Sequence, residues 1–231
     1  MVELNLTLAC NHKCPSCDRL CNRFPTRECH MTLDQIDKLC KQASESKGIK
    51  RLKVVGGEPF MHPEYREVNS RLVDALEAGS IQRVKIQSNG ILPKPKDLKT
   101  HPNMWFAGKP FRKRQHLPIW SPSDHNQQWS IGCMTLKKCG FSLDTYGWLP
   151  CSPAIAIVGA FGLEHLYRDE MPTKPWGLNE LCQHCVYAGP EKWKKANLKS
   201  FAKMTDEHRE LSSSWESKLL EWNGIPRKER W

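Results

Sequence analysis

No apolar run in the 231 residues approaches the roughly 18 that a membrane-spanning helix needs, so the sequence offers no transmembrane segment. The opening MVELNLTLAC lacks a charged stretch followed by an apolar one and does not read as a secretion signal. No internal repeat is found, which argues against a solenoid or propeller. A polar, low-hydrophobicity composition is missing too: 39% of residues are aliphatic, aromatic or Cys, which is ordinary for a folded domain and argues against global disorder. The length suits one domain, or one domain with a small appendage.

What the chain does have is cysteine. There are 11, an odd number that excludes complete pairing. Without a secretion signal they point to metal binding or redox chemistry in a reducing compartment, and the expected localisation is cytoplasmic. The formal charge is +10, unevenly spread. Between Arg83 and His116 there are nine lysines and arginines and one acid, Asp97. That segment reads either as a solvated basic face or as an anion site for phosphate or nucleic acid.

The first 92 residues alternate strand and helix signals. VELNLTLA (2–9) alternates as a strand should and runs into a cysteine-bearing loop. Thr32-Leu33-Asp34-Gln35 is a capping box, followed by Leu33, Ile36, Leu39, Cys40 and Ala43 at helical spacing up to Lys47-Gly48. RLKVV (51–55) is a strand entering Gly56-Gly57-Glu58-Pro59. A second helix is expected over 63–78 on Tyr65, Val68, Leu72, Val73 and Leu76, with Gly79 just past its end. RVKIQ (83–87) is a third strand, ending at Ser88-Asn89-Gly90. The βαβαβ order implies a parallel sheet with right-handed crossovers. Such folds build sites at the C-terminal ends of their strands, so the cysteine loop, the GGEP turn and the SNG turn are expected to share one cleft.

Beyond residue 93, prolines at 93, 95, 102, 110, 118 and 122 break regular structure. WFAG (105–108) and LPIW (117–120) are candidate short strands. FSLDTYGWLPCSPAIAI (141–157) reads as a hairpin turning at Asp144–Gly147. A short helix is expected to carry Leu178, Leu181, Cys182 and Cys185. Residues 190–231, rich in Lys, Glu, Ser and Trp, read as a docked helix or a loose tail.

Cys10, Cys14 and Cys17 lie in one loop at C-x3-C-x2-C spacing. Three thiolates can hold three corners of a cubane iron–sulfur cluster and leave one iron open to an exogenous ligand, the mark of a catalytic site. Two alternatives stand beside this: closure by a fourth thiolate, Cys21, and a zinc knuckle. A zinc ribbon wants a second C-x2-C pair about 15–20 residues away, whereas the next pair, Cys182/Cys185, lies far outside that range.

The loop, the GGEP turn and the QSNG turn, in that order at three successive strand ends, resemble the radical S-adenosylmethionine (SAM) superfamily over residues 1–92. The resemblance implies an α/β fold, a partial (β/α) barrel of the radical SAM type. It is truncated here, since only about 40 residues separate the third turn from Cys133, short for three βα units of roughly 30 residues each. It implies a [4Fe–4S] cluster on Cys10, Cys14 and Cys17 that binds SAM. Gly56, Gly57, Glu58 and Pro59 would lie at the SAM amino group, and Ser88 and Asn89 near its ribose or carboxylate. Reductive cleavage of SAM to a 5′-deoxyadenosyl radical and hydrogen abstraction from substrate follow, with an electron donor such as flavodoxin or ferredoxin. The sequence departs from the family at Ser16, where an aromatic residue often packs near the adenine; Phe60 or the 105–120 segment would supply that contact instead.

CGFSLDTYGWLPC resembles the start of the SPASM/twitch extension of some radical SAM enzymes. The likeness implies a small C-terminal hairpin-plus-helix domain with a second [4Fe–4S] cluster on Cys139, Cys151, Cys182 and Cys185, closed to substrate and suited to relaying an electron. Cys133 is a spare that could replace one of the four, and a structural zinc site or buried thiols remain the alternatives. Cys21, Cys29 and Cys40 are read as structural. The expected organisation is a core at 1–130, the auxiliary cluster domain at 131–189 and a basic helical tail at 190–231.

The function expected is a radical SAM enzyme acting on an anionic substrate, a phosphorylated or nucleotide-linked small molecule. The outcome would be a net oxidation, with the second cluster as relay, or an epimerisation. Lys109, Arg112, Lys113 and Arg114 are candidates for the anion, and Trp105, Trp120 and Trp129 for stacking on a base or sugar or for core packing. His116 and His125 lie in the right region, but the sequence assigns no catalytic acid or base. A peptide- or nucleic-acid-modifying radical SAM enzyme is the neighbouring reading, the peptide form being disfavoured because no leader-binding domain fits before Val2. A non-enzymatic zinc-binding, nucleic-acid-binding protein is the more distant one.

Overall fold

The computed structural model describes residues 1–12, 17, 19–21, 30–108, 136, 139–185, 215, 217 and 218. Its centre is a six-stranded sheet. The strands are β1 (Val2–Thr7), β2 (Leu52–Gly56), β3 (Val84–Ser88), β4 (Met104–Gly108), β5 (Phe141–Asp144) and β6 (Gly147–Leu149), in the order β4-β3-β2-β1-β5-β6. All neighbours are parallel except β5 and β6, which form an antiparallel hairpin. The chain is thus mixed α/β, as expected.

The helices follow the sequence signals closely at first. Helix α1 (Leu33–Ser44) begins at a capping box in which the Thr32 hydroxyl accepts from Gln35 N and the Gln35 side chain accepts from Thr32 N. Helix α2 (Tyr65–Glu77) buries Tyr65, Val68, Leu72, Val73 and Leu76, and Gly79 follows it at φ +74°. Ile36, Leu39 and Ala43 of α1 join these residues, with Leu4, Leu6, Leu52, Val54, Val84 and Ile86 from the sheet, in one apolar cluster. A strand's side chains alternate between faces, so Glu3, Asn5 and Thr7 lie on the opposite face of β1. All three are buried, and their polar groups need partners there.

WFAG falls in β4, in keeping with the sequence reading, and two other elements differ from it. No helix separates β3 from β4; the connection is the proline-bearing stretch 89–103. The 141–149 hairpin is present, but β5 also pairs with β1 in parallel, Val2 with Phe141 through Leu4 with Leu143, so it extends the same sheet. Its second arm stops at Leu149, and Ala154–Phe161 is a helix, α3, ending at Gly162 in the left-handed region. Ala154 through Ala160 are all buried. A helix buried on every side shows no amphipathic period, and its AIAI alternation imitates a strand.

Helix α4 (Leu178–Cys182) matches the expected short helix, with Cys185 just beyond it. A second apolar cluster joins α3 to Leu20, Leu149, Leu166, Leu181 and Trp215. Trp215 is fully buried, and its indole N–H donates to His184 O, so the tail is docked at that residue. Residues 117–120 lie outside the described part.

Candidate active site

The C-terminal ends of β1 and β2 meet through backbone hydrogen bonds. Gly57 N donates to Thr7 O at 2.7 Å and Glu58 N to Ala9 O at 2.8 Å. These contacts require glycine. A Cβ on Gly56, whose φ is +126°, would stand 2.1 Å from Thr7 O, and one on Gly57 would stand 2.1 Å from Ala9 O. The GG pair therefore lets the second strand end press against the backbone leading into Cys10.

Glu58 is fully buried. Its carboxylate accepts from Phe60 N at 3.2 Å and from Asn89 N at 2.7 Å. It staples the second strand end to the third through backbone donors. Asn89 continues the chain of contacts: its Nδ2 donates to Asn11 Oδ1 at 2.7 Å and lies 4.0 Å from Cys10 Sγ. Its Oδ1 accepts from Ile91 N, and Ser88 Oγ accepts from Gly90 N, which shapes the SNG turn. Phe60 packs edge-on against Tyr65, with centroids 5.1 Å apart, and lies 6.2 Å from the Phe106 ring.

The thiols gather beside this junction. Burial is the largest influence on Cys10 and, with Cys17 and Glu58 adding, pushes its thiol up, while the His12 backbone and Asn89 pull the other way. Cys21 shares a hydrogen bond with Cys17; that bond, then burial, then the charges of Cys17 and Cys10 hold its thiol well above the usual range. Three sulfurs thus feel one another. This donor chemistry suits iron or zinc. Cys14 lies outside the described residues, and none of the eight described cysteines is in a disulfide.

The downstream cysteines are divided. Cys151 and Cys185 are buried in the second apolar cluster and Cys182 packs against it. Cys139 instead has its thiol on Glu3, and burial first, then the Glu3 charge, raises it to about 11. Among the described residues no three His, Cys, Asp or Glu side chains stand together as a ready metal cage. Cys133 lies outside the described residues, as do Cys29, His116, His125, Lys109, Arg112, Lys113, Arg114, Trp120 and Trp129. Cys40 is half-buried against the main core. Of the basic segment, Lys99 pairs with Asp74 of α2 at 3.0 Å on the surface and Lys94 sits 3.9 Å above the Phe106 ring. Trp105 is on β4 beside Lys85 of β3, and is 42% exposed.

Sequence reasoning missed the polar face of the sheet. Arg19 Nε donates to Asn5 Oδ1 at 2.6 Å, and its Nη2 donates to Glu3 Oε2 at 2.8 Å and Ser152 Oγ at 3.1 Å. Lys53 Nζ reaches Glu3 Oε1 at 2.6 Å, and Ser152 Oγ donates to Glu3 as well. Burial alone would raise the Glu3 carboxyl, but Arg19 and Lys53 outweigh it and hold it below its ordinary range. The signal was there: E, N and T alternate with apolar residues in VELNLT, which marks a polar face. Also missed was His62, whose Nδ1 accepts from Glu64 N at 3.1 Å while Nε2 faces Met31 O at 2.7 Å. That fixes the tautomer with the proton on Nε2. Burial pushes its pKa down against the pull of the Met31 carbonyl.

The radical SAM superfamily profile matches residues 4–103, which supports a radical SAM domain over that stretch. Curated relatives include two enzymes named GTP 3′,8-cyclase. The one from Mesorhizobium japonicum is 26% identical over 89 residues, 38% of this chain and 27% of the relative. The one from Brucella ovis is 26% identical over 38% of this chain and 26% of its own length. The chain therefore spans about a quarter of the length of the curated relatives it matches.

Proposed function

We propose that this chain is a radical SAM enzyme acting on an anionic, nucleotide-like substrate. The observation that carries the reading is the meeting of Cys10, Cys17, Glu58 and Asn89 at three adjacent strand ends. The family match covers the same stretch. In this reading Cys10, Cys14 and Cys17 would hold a [4Fe–4S] cluster that binds SAM. When bound, cluster and SAM together supply a 5′-deoxyadenosyl radical for hydrogen abstraction.

The chain's own residues hold the site. Gly56 and Gly57 bring the second strand end against the β1 backbone. Glu58 acts through the Asn89 and Phe60 backbone rather than by an exposed carboxylate, so the SAM amino group is left to backbone groups of the turn. Asn89 Nδ2 steadies the Cys10 sulfur. The nucleotide preference is supported by the name of the relatives and by the net charge of +10. Trp105, exposed on β4, offers a ring to such a ligand. An electron donor of the flavodoxin or ferredoxin type belongs to the same reading.

A second cluster on Cys139, Cys151, Cys182 and Cys185 extends the proposal to a net oxidation. Its support is that Cys151, Cys182 and Cys185 share one apolar cluster; Cys139 would have to leave Glu3 to join them. Iron near eight rather than about four atoms per chain is the outcome expected of two clusters.

Cys21 beside Cys17 favours one rival, a cluster sealed by four thiolates. The deciding experiment is anaerobic reconstitution and reduction, then incubation with SAM and detection of 5′-deoxyadenosine. Production by both the natural chain and Cys21→Ala is expected. No cleavage by either, or a protein that takes up only zinc, overturns the proposal.

A further inference from the structure

Arg19 follows Cys17 by two residues, yet its side chain is buried on the polar face of β1, bonded to Glu3, Asn5 and Ser152. Between them Leu20 N donates to Cys17 O at 3.1 Å, and Leu20, in the left-handed region at φ +54°, is fully buried in the second apolar cluster. The downstream half of the cysteine loop is therefore pinned at two successive residues, one in each kind of interior. The acceptors matter as much as the donor. Ser152 directly follows Cys151, and Glu3 also holds the Cys139 thiol and Lys53. Asn5, the third acceptor, is fixed in turn by its bonds to Ser142 Oγ at 2.7 Å and Leu143 O on β5. One guanidinium thus joins the loop of Cys17 to both edges of the 139–151 hairpin.

We propose that Arg19 is a positioning residue that locks the N-terminal cysteine loop to the Cys139–Cys151 segment through Glu3 and Ser152, so that the two thiol sets keep a fixed relation. The part concerning the N-terminal cluster rests on the proposed function; the lock itself does not. A planar fork that reaches three acceptors in fixed directions is a task for arginine, and lysine reproduces only part of it. Buried ion pairs are weak sources of net stability, and in some proteins they specify one arrangement. Groups that orient metal-binding loops characteristically change metal retention by about 10–100-fold when removed.

The test compares the natural chain with Arg19→Met, Arg19→Lys and the gentler Ser152→Ala. Two quantities are read. The first, in metal-free reduced protein, is the alkylation rate of Cys139 and Cys151 by iodoacetamide, resolved by peptide mass spectrometry, with Cys40 as the internal reference. The second, in reconstituted protein, is the rate at which a chelator strips iron. Arg19→Met is expected to speed alkylation of Cys139 and Cys151 but not Cys40, and to raise the iron-loss rate by about tenfold. Arg19→Lys should fall between, and Ser152→Ala should affect Cys139 and Cys151 more than iron loss. Unchanged alkylation at both cysteines in Arg19→Met and Ser152→Ala overturns the lock. A uniform rise that includes Cys40 shows general loosening and overturns it too. If the natural chain holds no iron, the proposed function fails while the alkylation result still decides the lock.

Discussion

At the scale of single residues, the site is held by carboxylates that carry no freedom. Glu58 has two backbone N–H donors and no solvent contact. Glu58→Gln keeps the shape but offers one oxygen and one N–H₂, so one of the two donors loses its acceptor. The expected cost is about 1–3 kcal/mol of stability, from leaving a buried donor unsatisfied. Equilibrium denaturation of metal-free protein measures it, and an unchanged midpoint would show that the staple is dispensable. The GGEP motif was legible through its place after the second strand and its likeness to a family turn, while the steric need for its glycines shows only in the close approach to Thr7 and Ala9. The role of its glutamate was not legible. Nothing in a four-residue string tells whether a carboxylate faces a ligand or the backbone of a turn 31 residues away.

At the scale of elements, local signals succeeded where a single face was buried and failed where every face was. Helix α1 was readable from its capping box and its apolar stripe. Helix α3 was not, because every residue from Ala154 to Ala160 is buried and no polar face marks the period. The C-terminal segment gave too little pattern to separate a docked helix from a tail; of its described residues, Trp215 packs in the apolar cluster that joins α3 and α4. Its ring meets Phe161 edge-on with centroids 4.9 Å apart, and Phe161 stacks on His184. Trp215→Ala is expected to cost about 3–5 kcal/mol, typical of emptying a buried aromatic site. It should also raise the protease sensitivity of the chain at Trp215, read by limited proteolysis. Stability within about 0.5 kcal/mol of the natural chain would mean the docking contributes nothing.

At the scale of the whole molecule, one sheet separates two interiors. An apolar layer packs under α1 and α2, and a charged network centred on Glu3 lies on the other face. Glu3 gives this architecture a pH signature. Its carboxyl is held below the ordinary value in the fold, chiefly by Arg19 and then Lys53 acting against burial. A group depressed in this way contributes stability above its unfolded pKa, near 4.5, and that contribution is lost as pH falls through the folded value. Stability of metal-free protein should therefore drop as the pH is taken below about 4.5. Glu3→Gln should be about 3–5 kcal/mol less stable at pH 7, because it leaves Arg19 and Lys53 without their counter-charge. The gap between the two proteins should narrow in acid; a pH-independent gap would assign the loss to packing instead of charge. Among the described residues no helix is long and apolar enough to cross a membrane.

The amino-acid sequence by itself determined the βαβαβ order of the first 90 residues and the placing of a cysteine loop, a glycine turn and an SNG turn at three strand ends. It could do so because hydrophobic period, capping chemistry and turn residues act over a few neighbours. Only the tertiary structure decided what lies between those turns. Glu58 meets Asn89, Arg19 meets Glu3 and Ser152, Cys139 turns to Glu3, and β5 enters the sheet beside β1. Each of these depends on strand order and register. A shift of one residue sends every side chain of a strand to the other face, and local sequence does not specify which distant partner a strand will take.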